Sequence, residues 1–403
     1  MKVITDEEKI EELLTRGVEK IYPSKEALEK VLRSGKKLKL YQGFDPTGDK
    51  LHIGHMVGLR KHRQWQDLGH EVIFLIGDGT GEAGDPTGKK KTRERFFTSE
   101  ELRENAKGYL KQASKVVQFD GPNPVKILYN GDWLNKLTKT DILNIAQHFS
   151  VQQLIERDMF QERIKSGESI NAREFLYPLL QAYDSVEMDV DLEIGGSDQT
   201  FNMLCGRSLM KSMKKKEKFV MTTPLLVDKT GRKIGKTEGN AIALDDKPED
   251  LFGKIMTFPD EVITQCFECL TTVPMKKIQV IRKVLETGAN PMTYKKELAF
   301  EIVTELNDKN AAKRAEENFS KTFQKKEIPG EMEEIKYKIE ELLSDVLVKN
   351  KILISKGEWR RLVSSNAIHD LEKNQNITNP DFKIKENLTL KIGKKRFLKI
   401  VKN

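Results

Sequence analysis

Three cysteines in 403 residues, Cys205, Cys266 and Cys269, are too few for a disulfide scaffold and fit a reducing compartment. No apolar run approaches the roughly 18 residues of a membrane-spanning helix. The opening "MKVITDEEKIEELLTRG" turns acidic and helical at once, without the apolar core and small-residue cleavage site of a secretory signal, so a cytosolic protein is expected. Internal repeats and low-complexity tracts are also missing. Cys266 and Cys269 form a C-x-x-C, but no second Cys/His pair stands at ligand spacing. The surrounding "DEVITQCFECL" reads as an ordinary amphipathic helix, and no metal site is expected.

What is present is a chain of 37% hydrophobic and 33% charged residues, long enough for two to four domains and at least one sizeable core. Its formal charge of +8 is gathered at "KKKTRER" (89–95), "KSMKKKEK" (211–218) and the tail "KIGKKRFLKIVK" (391–402), a distribution that makes nucleic acid a candidate partner. Residues 5–33 alternate acids, lysines and leucines at helical spacing, which predicts an N-terminal helical segment (1–33) broken at Pro23. "KLKLYQGF" (37–44) and "HEVIFLIGD" (70–78) read as strands joined by a helix from about Ile53 to Leu68. Such a βαβ unit implies a parallel sheet. "PVKILYNG" (124–131) and "VDLEIGG" (190–196) continue the pattern, so a Rossmann-like α/β domain is expected over 34–245. A helical domain (246–325), a charged linker with Pro and Gly (326–338) and a small α+β domain with a basic end (339–403) follow.

Several glycine patterns suggest phosphate chemistry. "GTGEAG" (79–84) matches G-x-G-x-x-G, but it follows the second strand, and Pro86 and Gly88 predict that no helix starts cleanly there. "GRKIGKT" (231–237) has three residues between its glycines where a P-loop needs four; it still presents Lys233, Lys236 and Thr237 on a glycine turn. His52 and His55 stand three apart at the mouth of the predicted helix, whereas metal-binding pairs on a helix usually stand four apart with an acid between. Donors at a helix N-terminus suit an anion such as a polyphosphate.

Taken together, "PTGDKLHIGH" and "KIGKT" resemble the two signature motifs of the class I aminoacyl-tRNA synthetases. With "YQGFDPTG", "GDPTGKK", "YPLLQAYDS" and "IGGSDQ", residues 38–245 resemble the bacterial tyrosyl-tRNA synthetases in order and spacing. The resemblance implies ATP-dependent attachment of tyrosine to its tRNA through tyrosyl-adenylate, with ATP as a substrate and Mg²⁺ carried on its phosphates. It implies that Thr47, His52, His55, Lys89, Arg93, Lys233 and Lys236 serve the phosphates and catalysis. Tyr41 and Asp184 would meet the phenol hydroxyl, Asp85, Tyr177 and Gln181 the ammonium, and Gln199 the carboxyl end. Gly43, Asp45, Gly54, Gly196, Asp198 and Thr237 would line the ATP and adenylate site. Further implications are a homodimer with its interface near 120–170, a helical domain on the anticodon side, and an S4-like RNA-binding tail around "SKGEWRRLVSSNAI" (355–368). Gln42, Glu82 and Glu193 depart from the common pattern, and Glu193 would add a negative charge near the tyrosine site.

Rival readings are a tryptophan ligase of the same architecture, against which Tyr41 and Asp184 speak, a non-catalytic RNA-binding or splicing protein, and a nucleotide-dependent oxidoreductase.

Overall fold

In the computed structural model of the protein, Asp6 accepts the Lys9 amide to start α1 (Glu7–Thr15), and Ser24 accepts the Ala27 amide to start α2 (Lys25–Arg33). The structure describes residues 1–87, 95–231, 233–234, 241–321, 332–337, 340–373, 375–393 and 396–402. Between the two helices lies a strand, β1 (Lys20–Tyr22), which pairs antiparallel with a strand some 200 residues later. The N-terminal segment is therefore the helix pair that its periodicity predicts, broken just before Pro23, with an unforeseen short strand at the break. Three residues are too short to register in a hydrophobic pattern, and Ile21 alone carries the buried face.

The core sheet follows from β2 (Lys39–Phe44), α3 (Ile53–Asp67), β3 (Glu71–Ile76), α4 (Asp78–Ala83), α5 (Ser99–Ala113) and β4 (Lys126–Tyr129). Four helices come next: α6 (Gly131–Leu134), α7 (Lys139–Ala146), α8 (Val151–Ile155) and α9 (Asp158–Ser166). They lead to α10 (Ala172–Met188), β5 (Leu192–Gly196), α11 (Thr200–Lys214) and β6 (Phe219–Thr223). The strand order is β1-β6-β5-β2-β3-β4, parallel except at β1. This is a Rossmann-like sheet: the chain runs outward from β2 through β3 to β4, then crosses to the other side of β2 with β5. That crossing makes a switch point, and ligands are expected beyond the carboxyl ends of the strands there.

The helix α4 contradicts the expectation that no helix starts cleanly at 79–84. Its first amides are capped from another element, since Asn130 Oδ1 accepts from Gly79 N at 2.8 Å and Thr80 N at 3.3 Å. Asp78 in turn accepts from Gly131 N at 2.7 Å. Gly79 suits this approach, because a Cβ there would lie a tight 3.1 Å from Leu134 and Gly131. Capping across such a sequence separation leaves no local signal.

Helices α12 (Pro248–Ile255), α13 (Ile263–Leu270), α14 (Met275–Glu286), α15 (Pro291–Leu306) and α16 (Lys309–Phe319) follow. Two compact units divide the chain, Met1–Glu316 and Glu317–Asn403, so the N-terminal segment and most of this helical stretch belong with the sheet. Arg16 donates to the carbonyls of Glu268 and Thr271, and buried Lys61 donates to those of Leu13 and Arg16, which ties α1, α3 and α13 together. Cys266 and Cys269 are buried in α13, where burial pushes the Cys269 thiol up to about 12.

The second unit holds β7 (Glu333–Tyr337), α17 (Leu343–Lys349), α18 (Lys356–Ser364), β8 (Ile368–Asp370), β9 (Gln375–Asn376), β10 (Leu388–Ile392) and β11 (Arg396–Lys402). Its sheet order is β7-β11-β10-β8-β9, with β7 parallel to β11. The expected linker thus contains a strand: in "EEIKY" the alternation buries Ile335 and Tyr337 against Trp359 and its neighbours. Among the described residues, no helix is long and apolar enough to cross a membrane.

His62 of α3 lies at 0% exposure against Phe44, and neither ring nitrogen has a hydrogen-bond partner. Burial pulls its pKa down to about 3, so the folded state holds it neutral while the unfolded chain, near 6.5, takes up a proton as pH falls. Stability is then lost progressively below pH 6.5. Urea midpoints should show a loss at pH 5 of about 2 kcal/mol from this residue, and His62→Leu should flatten that part of the profile. An identical profile in the variant would exclude His62 as the source.

Candidate active site

A cavity of 460 Å³ opens at the switch point, between the ends of β2 and β5, the start of α3 and one face of α10. That volume suits a small-molecule ligand. Its floor is polar and buried. Tyr41, at 0% exposure, has its hydroxyl 2.9 Å from Ser185 Oγ. Asp184, one position earlier on α10, accepts from Trp133 Nε1 at 2.8 Å and from Asn130 Nδ2 at 3.0 Å. Burial raises the Asp184 carboxyl well above its ordinary range, and the two donors act against that shift. Burial likewise raises the Tyr41 hydroxyl, helped by the charges of Glu193 and Asp184. Asn130, Trp133 and Ser185 were not legible as site residues, although Asn130 and Trp133 lie just beyond the carboxyl end of β4, where this fold collects function.

One turn or two along α10, the side chains of Tyr177 and Gln181 enter the same cavity. The Tyr177 hydroxyl donates to Asp45 Oδ2 at 2.9 Å, and Asp45 Oδ1 accepts from Thr80 Oγ1 at 2.8 Å. Asp45, read from the sequence as a nucleotide contact, therefore fastens β2 to α10 and α4. Asp85 accepts from Gln199 Nε2 at 2.8 Å and from the Thr87 amide at 2.9 Å, so two residues expected at different ends of the amino acid touch each other. Gln181 Nε2 donates to Glu193 Oε1 at 2.9 Å. Glu193 does not add a bare negative charge to the site, because buried Lys218 forms an ion pair with it. Lys218 stands in the basic run 211–218 that suggests a nucleic-acid surface, yet it is 0% exposed.

The histidines open α3. His52 is its N-cap, with Nδ1 accepting from Gly54 N at 3.1 Å, and His55 Nδ1 accepts from His52 N at 3.0 Å. The rings stack 3.8 Å apart. Both Nδ1 atoms are acceptors here, so in the neutral rings the proton sits on Nε2, which leaves each ring one N–H to donate. Thr47, Gly43, Gly54 and Gly196 line the same cavity. Lys233 Nζ lies 2.6 Å from Asp198 Oδ2, so a cation expected on phosphate is paired with the acid expected on ribose. Gln42 reaches beneath Gly58, where a Cβ would lie 2.3 Å from its Oε1. Lys89, Arg93, Lys236 and Thr237 lie outside the described residues. Among the described residues, no group of three or more His, Cys, Asp or Glu is arranged to hold a metal.

The family model for tRNA synthetases class I (W and Y) matches residues 33–324, and the chain belongs to this family. The chain is 41% identical, over 97% of each sequence, to the tyrosine–tRNA ligase of Carboxydothermus hydrogenoformans. It is 40% identical to that of Thermotoga maritima over 98% of each. Among solved structures, a C-terminally truncated mitochondrial tyrosyl-tRNA synthetase of Aspergillus nidulans superposes with a TM-score of 0.67 at 24% identity, covering 78% of this chain and 94% of that one. At that identity the likeness speaks for the fold.

Proposed function

We propose that the cavity takes tyrosine with its phenol on the Tyr41–Asp184 floor and ATP across the mouth of α3, in the service of ATP-dependent attachment of tyrosine to tRNA(Tyr). The buried Asp184 between Asn130 and Trp133, beside the Tyr41 hydroxyl, is the observation that carries this reading. A phenol hydroxyl satisfies such a floor, whereas phenylalanine leaves it unpaired. Asp85, Tyr177 and Gln181 surround the ammonium, and Gln199 stands at the carboxyl end.

In the first step the tyrosine carboxylate oxygen bonds to the α-phosphorus while the bond to the bridging oxygen breaks and pyrophosphate leaves. The carboxylate is already ionised at neutral pH, so no general base is needed. Charge grows on the phosphates, which calls for donors and cations. Thr47, His52 and His55 supply donors, and Lys233 supplies a cation that exchanges Asp198 for phosphate. Lys89, Arg93, Lys236 and Thr237 complete the clamp in this reading. Gly43, Gly54, Gly196 and Asp198 accommodate the nucleotide, and Mg²⁺ arrives on the ATP phosphates. In the second step a hydroxyl of the tRNA terminal adenosine takes the tyrosyl group and AMP leaves.

ATP–pyrophosphate exchange with tyrosine, phenylalanine and tryptophan in parallel tests the reading. Exchange should be confined to tyrosine; comparable exchange with phenylalanine would refute the role of the floor.

The second unit serves as an S4-like RNA-binding domain, supported by exposed Lys349, Lys351, Lys356, Arg360 and Arg361 on and beside α17 and α18. The helices α12–α16 approach the anticodon side. A chain ending at residue 321 should keep tyrosine exchange and lose tRNA charging by at least about tenfold at physiological salt; undiminished charging would remove the second unit from tRNA binding. Exposed Ile142, Leu143, Val151 and Ile164 in the helical insertion support a homodimer interface there. The reaction belongs in the cytosol.

A further inference from the structure

Four buried side chains and half-buried Gln181, from four parts of the sheet domain, form one connected network beneath the cavity. Tyr41 Oη lies 2.9 Å from Ser185 Oγ, which accepts from Lys218 Nζ at 2.8 Å. Lys218 also pairs with Glu193 Oε2, and Glu193 Oε1 accepts from Gln181 Nε2 at 2.9 Å. Glu193 is 1% exposed and Lys218 0%. Space for the ammonium comes from Gly206 of α11, where a Cβ would stand 2.5 Å from Lys218 Nζ and 2.9 Å from Ser185 Oγ.

Enclosing two charges this completely strips both of water and adds little net stability over apolar residues of similar volume. The pair therefore invites a reason beyond packing. One lies at its far end, because Gln181 Oε1 is buried, has no hydrogen-bond partner, and belongs to a side chain lining the cavity.

We infer that Lys218 and Glu193 are positioning residues that lock the Gln181 amide in one orientation, with its carbonyl oxygen toward the cavity, and so select a protonated amine at that point. An ionised carboxylate only accepts hydrogen bonds, so the Gln181 NH₂ must face Glu193 and its oxygen must face away. Lys218 tethers the other carboxylate oxygen, Oε2, and so fixes the direction in which Oε1 meets the amide. Without the lysine that carboxyl loses its tether and no longer dictates the amide's orientation, which lets the amide turn its NH₂ toward the substrate ammonium. A glutamine at 193 would leave both amide orientations open. This inference rests on the reading that places the tyrosine ammonium at Gln181.

The test uses two competitive inhibitors of tyrosine exchange in the full-length protein. Tyramine carries the ammonium, and 3-(4-hydroxyphenyl)propionate lacks it. Lys218→Met, and Glu193→Gln combined with Lys218→Met, should each weaken tyramine inhibition about tenfold, the value of one hydrogen bond to a charged group. Both should leave the propionate unchanged and raise the KM for tyrosine more than they lower kcat. The double variant removes both charges, so it answers the question if the single variant fails to fold. Equal weakening of both inhibitors, or weakening of neither, overturns the inference. Gln181→Ala separates the two levels: if tyramine inhibition survives that change, the ammonium is not at Gln181 and the site reading fails along with the inference. If Gln181→Ala weakens tyramine and the pair variants do not, the inference alone fails.

Discussion

Replacing Asp184 by Ala is expected to lower kcat/KM for tyrosine in pyrophosphate exchange by about ten- to a hundredfold, the range for leaving a buried hydrogen-bonding group without its partner. Phenylalanine, which offers no hydroxyl to this floor, should lose nothing from the substitution, so the ratio of the two amino acids shrinks. That ratio separates a lost contact from general damage. Asn130 Nδ2 and Trp133 Nε1 both donate to this carboxylate, and the alanine leaves them buried and unpaired. Some loss of stability is therefore expected alongside, but it would lower exchange with both amino acids in proportion. An unchanged rate with tyrosine would remove Asp184 from the phenol site.

Replacing Arg163 by Ala is expected to cost about 3–5 kcal/mol of stability, the usual penalty for stranding a buried charge. Arg163 and Glu174 are 1% and 3% exposed, and one guanidinium nitrogen reaches both carboxylate oxygens, at 2.9 and 3.0 Å. Glu174 also accepts the Asn171 amide at 3.0 Å and so closes the capping box that starts α10. Tyr177, Gln181 and Asp184 all stand on that helix. The arginine thus steadies the helix that carries three residues of the cavity, and the KM for tyrosine should rise with the loss of stability. Urea midpoints give the comparison. Arg163→Met with Glu174→Met should fall within about 1 kcal/mol of the parent, since replacing both partners strands neither charge. A single variant as stable as the parent would show that the pair is solvated.

The parts of this molecule that were legible in its sequence are those with local causes. Continuous apolar runs such as "VIFLI" marked parallel strands, and the turn "FDPTG" before a helical period marked the cavity mouth. The resemblance of short motifs then supplied Tyr41, Asp184 and Gln181, all of which line the cavity. Harder to see were features made by distant partners. Asn130 caps α4 from beyond β4, Lys218 looks like one more surface lysine in "KKKEKF", and β7 hides in a charged stretch because only Ile335 and Tyr337 mark its inner face. β1 offers three residues and β7 only two apolar positions among charges, too little for a pattern, whereas the unbroken apolar run of β3 stands out.

The place of β1 has a consequence for the order in which the molecule is made. Residue 20 leaves the ribosome 202 residues before the threonine whose hydroxyl donates to its carbonyl. The first strand to be synthesised is among the last that can dock, and until Phe219–Thr223 emerges it has no neighbour in the sheet. The N-terminal helices therefore have to tolerate a long wait, and their own side-chain caps and acidic first turns are the local means by which they can hold shape before the sheet closes over them.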